Sequence, residues 1–140
     1  MTRCVIGPLG ITYVPCLIER SAVTRILVVE NDRAVQEVIC EFLRSAGHQV
    51  YCAASAEQAR HCLAGERIEL ALIDCLMRGE QGDSLAEHVS SLGVPAILMS
   101  GDPQYLRKTS TGGLPFLGKP FHLGELEQII AQTLEDSGKV

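Results

Sequence analysis

The stretch Ile68-Glu69-Leu70-Ala71-Leu72-Ile73-Asp74 contains a short apolar run, Leu70 to Ile73, that ends in the carboxylate of Asp74. Because leucine, alanine and isoleucine follow one another without polar alternation, the run predicts a strand that is buried on both faces. Asp74 then lies where this strand passes into a loop that contains Gly79 and Gly82. In open α/β sheets that edge binds ligands, although a single aspartate there also caps strands and turns. The role of Asp74 therefore depends on what the other strands bring beside it.

The composition indicates one domain with an aliphatic core. The chain has 140 residues, of which 46% are hydrophobic and only 4% are aromatic, so leucine, isoleucine, valine and alanine fill most of the core. The formal net charge is −5, which argues against direct nucleic-acid binding because such surfaces are usually basic. No apolar run is long enough to cross a membrane, so no membrane insertion is expected.

Six cysteines are spread through the chain. None forms a Cys-X-X-Cys pair, and no pair has the spacing of zinc ligands. Several fall within periodic apolar segments, where a thiol acts as a small hydrophobic group. We therefore expect reduced thiols in a cytoplasmic protein rather than a disulfide scaffold.

Five strands alternate with five helices in the pattern of the sequence. The strands follow β-branched or apolar runs, and the helices carry apolar residues at helical spacing behind capping residues. The predicted strands cover residues 25–29, 48–53, 68–74, 96–99 and 115–118, and the predicted helices begin near residues 32, 56, 83, 103 and 123. This alternation predicts a doubly wound, five-stranded parallel sheet with helices on both faces.

The same pattern divides the chain into three parts. Residues 1–24 are apolar but broken by glycines and prolines, lack a signal-peptide pattern, and are interpreted as an N-terminal extension. Residues 25–136 form the predicted domain, and residues 137–140 form a tail. We expect a stand-alone domain that acts through protein contacts; a fragment of a longer protein is the alternative.

Polar and charged side chains follow four of the five predicted strands. Glu30-Asn31-Asp32 follows the first strand, Asp74 ends the third, Ser100 follows the fourth and Lys119 follows the fifth. In a parallel sheet all of these positions lie at one carboxyl edge. They supply acids for a hard cation, a carboxylate nucleophile, a hydroxyl and an ammonium, which is the set that phosphoryl transfer needs.

The chain resembles the receiver domain of two-component response regulators from about Thr24 to Asp136. Four motifs carry the resemblance through their order and spacing: ILVVEND at 26–32, LALIDCLM at 70–77 followed by Gly82, ILMSGD at 97–102, and FLGKPF at 116–121. The resemblance implies a flavodoxin-like (βα)5 fold with strand order 2-1-3-4-5. It also implies a signalling module, not an enzyme, that accepts a phosphoryl group from a histidine kinase or phosphotransfer protein.

The resemblance assigns the acceptor and the metal site residue by residue. Asp74 is the implied phosphoacceptor. Glu30, Asn31, Asp74 and the backbone carbonyl of Leu76 are the implied ligands of Mg²⁺ or Mn²⁺.

The resemblance also assigns a switch. Lys119 is expected to contact the phosphoryl group and Asp74, and the Lys119-Pro120 peptide is commonly cis in the family. Ser100 would bind a phosphoryl oxygen and draw its loop inward, while Phe116 occupies the position of the switch aromatic. The family signals through its fourth helix, fifth strand and fifth helix, where a downstream protein or a second copy of the chain would bind.

Several positions depart from the family pattern. Asn31 stands where a second acid is usual, so we expect weaker metal affinity. Arg78 replaces a usual proline beside the site and, with Asp102, is a candidate modulator. Phe116 lacks the hydroxyl of the more usual tyrosine. The stretch between Ser100 and Phe116 is rich in glycine and threonine and is short, so the fourth helix is expected to be partly unwound.

Other functions stay open at this level. A pseudo-receiver that binds a partner without phosphorylation is the main alternative, because Asn31 weakens the metal site. A hydrolase of the haloacid-dehalogenase type would need a second acid where Leu76 stands. A flavodoxin-like cofactor binder would need a phosphate-binding loop after the first strand, and the sequence has none. Taken singly, the candidate residues also fit helix-start acids, a turn serine, a core aromatic and a surface lysine.

Overall fold

Two sheets occur in the computed structural model, which describes residues 5–6, 12–13, 23–75, 82–101 and 115–138. The smaller sheet pairs Val5–Ile6 (β1) with Thr12–Tyr13 (β2) in antiparallel fashion, within the predicted N-terminal extension. The larger sheet contains five parallel strands: Arg25–Val29 (β3), Gln49–Ala53 (β4), Leu70–Asp74 (β5), Ala96–Ser100 (β6) and Phe116–Gly118 (β7). Their order is β4-β3-β5-β6-β7. Counted along the domain this is the order 2-1-3-4-5, so the predicted fold class is confirmed.

Four helices lie in the described part of the chain. They are Arg33–Ser45 (α1), Ala56–Gly65 (α2), Gly82–Ser91 (α3) and Leu123–Asp136 (α4). At the start of α1, Oδ1 of Asp32 accepts hydrogen bonds from the backbone N–H groups of Ala34 and Val35 at 3.0 and 3.2 Å, which is the chemistry of an N-cap. The helix predicted at residues 103–108 lies outside the described residues. No described helix is both long and apolar enough to span a membrane.

Alternate residues of β3 face opposite sides of the sheet. Leu27 and Val29 pack in a core cluster that includes residues of α2 and α3, whereas Ile26 and Val28 pack in a cluster that includes residues of α1 and α4. All four side chains are fully buried. Every residue of β5 is buried as well, as the uninterrupted apolar run predicts. Burial of each large aliphatic side chain contributes about 1.5–3 kcal/mol to the free energy of folding. The buried centre of the sheet therefore holds the strand ends in fixed positions.

Arg25 holds together the amino edge of this sheet. Its Nε donates to the carbonyl oxygen of Arg67 at 2.6 Å, and its Nη2 donates to the hydroxyl of Tyr51 at 2.6 Å and to Oε2 of Glu66 at 3.2 Å. Its Nη1 donates to Oε1 of Gln49 at 3.2 Å. The guanidinium carbon also lies 5.4 Å from the centre of the Tyr51 ring. One cation thus joins β3, β4 and the segment before β5.

The sulfur atoms of Cys40 on α1 and Cys52 on β4 are in contact, and the Cα atoms of the two residues are 7.3 Å apart. This Cα separation exceeds the usual span of a disulfide bond, so the expectation of reduced thiols stays a prediction for this pair. Spacing within the sequence did not reveal the contact, because the two residues meet only when α1 packs on the edge strand β4. Cys62 and Cys75 form no disulfide bond.

Candidate functional site

Three acidic or hydroxyl side chains are buried at the carboxyl edge of the sheet. Glu30 directly follows β3, Asp74 ends β5 and Ser100 ends β6, and their exposed fractions are 1%, 5% and 2%. The strand register brings them together, since Val29 pairs with Ile73 and Asp74 pairs with Met99. Burial of carboxylates in an apolar sheet costs free energy unless a partner compensates, so this cluster makes the edge a candidate functional site.

Lys119 provides that partner. The backbone N–H of Lys119 donates to the carbonyl oxygen of Ser100 at 2.8 Å, which fixes the start of the loop after β7. The Nζ atom of Lys119 then donates to Oε1 of Glu30 at 2.5 Å and lies 3.5 Å from Oδ2 of Asp74. The Lys119-Pro120 peptide is cis, in agreement with the resemblance. One ammonium therefore bridges two carboxylates that come from different strands.

The electrostatics of the cluster follow from its burial. Burial raises the pKa of Glu30 above its ordinary value of 4.5, and the neighbouring Asp74 raises it further, although Lys119 and the N–H of Asp32 act in the opposite direction. For Lys119, burial alone would lower the pKa, but Glu30 and Asp74 outweigh burial and raise it. Two carboxylates thus share one ammonium, and a further cation at this edge would relieve their repulsion.

The two acids of the loop between β3 and α1, Glu30 and Asp32, have side chains that point to different partners. Oε2 of Glu30 accepts a hydrogen bond from the backbone N–H of Asp32 at 3.1 Å. The side chain of Asp32 caps α1 and is turned toward the helix rather than toward Asp74. Asn31 lies between them and is exposed. It brings an amide oxygen, without charge, to the edge where the resemblance places a metal ligand.

Gln36 is a site-supporting residue that the sequence analysis missed. Its Nε2 donates to the carbonyl oxygens of Glu30 and Ala53, both at 3.0 Å, and the N–H of Glu30 donates to the same Ala53 oxygen at 3.0 Å. Gln36 thereby fixes the loop that carries Glu30 against the end of β4. The available signal was a polar residue one turn into the helix that follows the first strand.

The remaining predicted site residues divide into described and undescribed ones. Phe116 begins β7 and is half-buried against the core cluster on the side of α2 and α3. Leu76, Arg78 and Asp102 lie outside the described residues, as does the stretch 103–114 that was expected to hold a partly unwound helix.

The donor set fits a hard divalent cation. Within the described ranges no group of three His, Cys, Asp or Glu side chains could hold a metal ion. Mg²⁺, however, commonly takes only one or two carboxylates and keeps several waters. Glu30 and Asp74 supply two carboxylates within reach of one ammonium, and Asn31 can supply an amide oxygen.

An apolar groove of about 560 Å³ adjoins this edge. It runs between the first turns of α1 and the segment that leads from Lys119 into α4. Val38 and Leu123 line the groove and are 56% and 36% exposed. An exposed apolar surface beside a buried charged site is typical of a protein-docking surface.

Comparisons with known proteins identify the same family that the sequence motifs resemble. A family model described as the response regulator receiver domain matches residues 26–131. The uncharacterized transcriptional regulatory protein YrkP of Bacillus subtilis is 33% identical over 113 residues, or 77% of this chain and 48% of that protein. The chain spans about half the length of the curated relatives it matches.

Solved structures share the fold. A CheY-like receiver domain protein from Methanospirillum hungatei superposes with a TM-score of 0.76 and 25% identity, over 84% of this chain and 98% of that one. The response regulator TrrA of Thermotoga maritima, solved in complex with Mg²⁺-BeF, superposes with a TM-score of 0.72 and 24% identity, over 79% of this chain and 99% of that one.

Proposed function

Because this chain belongs to the response regulator receiver domain family, we propose that it accepts a phosphoryl group on Asp74 from a histidine kinase or phosphotransfer protein. The observation that carries the proposal is the Lys119 ammonium, which contacts both Glu30 and Asp74 at a buried strand edge. A carboxylate that is held in place by the sheet beside an ammonium has the position that a phosphoryl acceptor needs.

The transfer step needs few protein groups. An oxygen of Asp74 attacks the phosphorus of a phosphohistidine, the P–N bond breaks, and the imidazole leaves with the electron pair. Lys119 is placed to neutralise the phosphoryl oxygens as the charge shifts. Glu30, Asp74 and Asn31 would hold Mg²⁺ or Mn²⁺, together with waters and the carbonyl oxygen that we propose for Leu76. When bound, the cation would screen the repulsion between the carboxylates and the incoming phosphoryl group.

The same residues provide a switch. A phosphoryl group adds about two negative charges and three acceptor oxygens. In our proposal Lys119 moves from Glu30 toward these oxygens, and the Ser100 hydroxyl binds one of them. Because the backbone N–H of Lys119 donates to the carbonyl oxygen of Ser100, a movement of either residue would displace the other. Phe116, on the strand beside Ser100, would carry the change to the surface.

The apolar groove supports a protein donor. A partner that docks between α1 and the start of α4 would bring its phosphohistidine close to Lys119, which lines the same groove. We propose this exchange for the cytoplasm, with output through the face formed by the chain around β7 and α4 to a downstream protein or a second copy of the chain. YrkP is named as a transcriptional regulatory protein; for this chain we propose protein contacts and no direct contact with nucleic acid.

Labelling with acetyl phosphate in the presence of Mg²⁺ tests the proposal. We expect wild type to incorporate phosphate and the Asp74→Ala variant to incorporate none, because no other carboxylate occupies the acceptor position. Asp136→Ala is the control: Asp136 ends α4 at an exposed position, so labelling should be unchanged. Absence of labelling in wild type, or full labelling of Asp74→Ala, would contradict the proposal.

A pseudo-receiver is the second candidate. Asn31 favours it, because this exposed amide replaces charge at the metal site. Binding of beryllofluoride with Mg²⁺ separates the two functions. A phosphoacceptor should bind both, as TrrA does in its solved complex, whereas a pseudo-receiver should bind neither.

A further inference from the structure

The contact between Cys40 and Cys52 brings a buried sulfur to an exposed edge. Cys40 lies on the inner side of α1 and is 2% exposed, whereas Cys52 lies on β4 and is exposed. β4 is one of the two edge strands of the parallel sheet. A solution oxidant or reductant can therefore reach the pair of sulfurs from the side of Cys52.

The surroundings of Cys52 favour reaction at this sulfur. An open cavity of about 420 Å³ lies beside the two sulfurs and is lined by basic and acidic residues of α1. Nη2 of Arg44 donates to Sγ of Cys52 at 3.8 Å, and a guanidinium beside a sulfur stabilises a thiolate over a thiol. Exposure, a cation and an approach path are the features of a reactive cysteine.

Cys62 and Cys75 differ from Cys52 in these respects. Burial raises the pKa of the Cys62 thiol, and the nearby Glu66 raises it further, so Cys62 remains a weak nucleophile. Cys75 is fully buried. Among the described cysteines, the reactive position is therefore Cys52, and Cys40 is the thiol placed to resolve it.

The two sulfurs also lie close to the carboxyl edge. Cys40 lies one helical turn after Gln36, whose side chain donates hydrogen bonds to the carbonyl oxygens of Glu30 and Ala53. Cys52 immediately precedes Ala53 on β4. A covalent bond between Cys40 and Cys52 would therefore restrain the same pair of elements that Gln36 holds together beside Glu30.

We propose that Cys40 and Cys52 form a reversible redox pair that fixes α1 to β4 under oxidising conditions and releases it under reducing ones. In a cytoplasmic protein a disulfide is usually transient and redox-sensing. Hydrogen peroxide is the class of oxidant considered. The effect of this bond on phosphoryl acceptance rests on the proposed function of Asp74; formation of the bond does not.

The chemistry balances with one peroxide for each bond. The Cys52 thiolate attacks one peroxide oxygen, the O–O bond breaks, and the departing hydroxide takes up the thiol proton to become water. Cys52 is now a sulfenic acid. The Cys40 sulfur attacks Cys52, the S–S bond forms, the S–O bond breaks and a second water leaves. Two thiols lose two electrons, the peroxide gains them, and a dithiol reductant reverses the change by exchange.

Thiol mapping of the intact chain tests the pair directly. Wild type is treated with hydrogen peroxide or with dithiothreitol while folded, then denatured, alkylated, digested and analysed by mass spectrometry. We expect the oxidised protein to lose two of its six alkylatable thiols and to yield one linked peptide pair that contains Cys40 and Cys52. Dithiothreitol should restore both thiols.

Variants identify the residues. Cys52→Ser should abolish the linked pair, whereas Cys62→Ser, at a partly exposed cysteine outside the bond, should retain it. The proposal is overturned if oxidised wild type shows no such link, if Cys52 pairs with another cysteine, or if the link in the folded protein resists dithiothreitol. Mapping in wild type gives this answer even if a variant fails to fold.

Two further measurements test the restraint. Amide hydrogen exchange in α1 should slow about fivefold on oxidation, equally in Asp74→Ala, and unchanged exchange would overturn the restraint. Acetyl phosphate labelling of the oxidised and reduced proteins should differ. Equal labelling of the two forms overturns regulation by the bond, while absence of labelling in both overturns the proposed function instead.

Discussion

Charged side chains at the two edges of the parallel sheet have different kinds of partners. At the amino edge, a single cation, Arg25, is surrounded by a carbonyl, a hydroxyl, an amide oxygen and one carboxylate, and that carboxylate is half-exposed. At the carboxyl edge, a single cation, Lys119, serves two carboxylates that are almost completely buried. The side chain of Arg25 is thus shared mostly among neutral or half-exposed partners, whereas the ammonium of Lys119 is shared by two buried carboxylates.

This difference separates a structural cluster from a functional one. The Arg25 cluster uses its donors on partners that are already present, so it joins neighbouring elements and offers little to a ligand. At the carboxyl edge two buried carboxylates contact one ammonium, and burial together with the neighbouring Asp74 raises the pKa of Glu30. A divalent cation at this edge would gain free energy from both carboxylates, and the ammonium of Lys119 is the group that can attract a phosphoryl oxygen.

The largest effect is expected from removing each central cation. Lys119→Met leaves Glu30 buried without its ammonium and should lower the free energy of unfolding by about 2 kcal/mol at neutral pH. Arg25→Met should cost about 1 kcal/mol, because its partly exposed partners can bind water. Urea denaturation measures both.

Addition of Mg²⁺ separates these two variants further. It should stabilise Lys119→Met more than wild type, because the carboxylates have lost a competing cation. Its effect on Arg25→Met should equal that on wild type. Equal Mg²⁺ stabilisation of all three proteins would contradict the expectation that only the carboxyl edge binds the cation.

A tenfold effect is expected at the groove beside the carboxyl edge. Val38→Asp places a charge in this apolar groove and should slow phosphoryl transfer from a phosphorylated phosphotransfer protein about tenfold, or ~1.4 kcal/mol. Labelling by acetyl phosphate should not change, since a small donor needs no docking surface. Val23→Asp is the matched control, because Val23 is 58% exposed but precedes β3. Loss of transfer in both variants, or in neither, would argue against docking at the groove.

A smaller effect is expected from restoring charge at the metal site. Asn31→Asp adds a third carboxylate beside Glu30 and Asp74 and should raise Mg²⁺ affinity several-fold, as measured by titration calorimetry. Without Mg²⁺ the same variant should be less stable, because three like charges repel. Asn31→Ala serves as the control for loss of the amide. If Asn31→Asp does not change Mg²⁺ affinity, Asn31 does not lie in the metal site.

The smallest effect concerns pH. A raised pKa in the folded protein means that the stability linked to Glu30 protonation is present below pH 4.5 and is lost as the pH rises through the folded pKa. The side chain of Glu30→Gln has no proton to lose. The free energy of unfolding of this variant minus that of wild type should therefore increase between pH 4.5 and the folded pKa of Glu30, and should stay constant at higher pH. Urea denaturation at several pH values without divalent cations measures the difference. A constant difference across the interval would contradict the raised pKa.

Much of the fold was predictable because its signals are local. The uninterrupted run that ends at Asp74 predicted a strand buried on both faces, and β5 is buried along its whole length. The resemblance to receiver domains implied the strand order, which the structure confirms. At the site, the sequence indicated which strand ends would meet, and the structure brings Glu30, Asp74 and Lys119 together.

The missed features depend on contacts between distant elements. Gln36 looks like an ordinary polar helix residue until α1 is placed against the ends of β3 and β4. The contact between the sulfurs of Cys40 and Cys52 likewise requires the packing of α1 on β4. Periodicity indicates which face of a helix is buried but not which atoms it meets there, so neither contact could be inferred from spacing alone.

The contact between Lys119 and Glu30 spans 89 residues of chain and has a consequence for synthesis. Asp74 and its strand emerge from the ribosome well before the segment that carries Lys119. An unfinished chain therefore already has both acids but not the ammonium that contacts them in the folded domain. A chain that ends before Lys119 would lack the complete charge cluster around Asp74, the proposed phosphoacceptor.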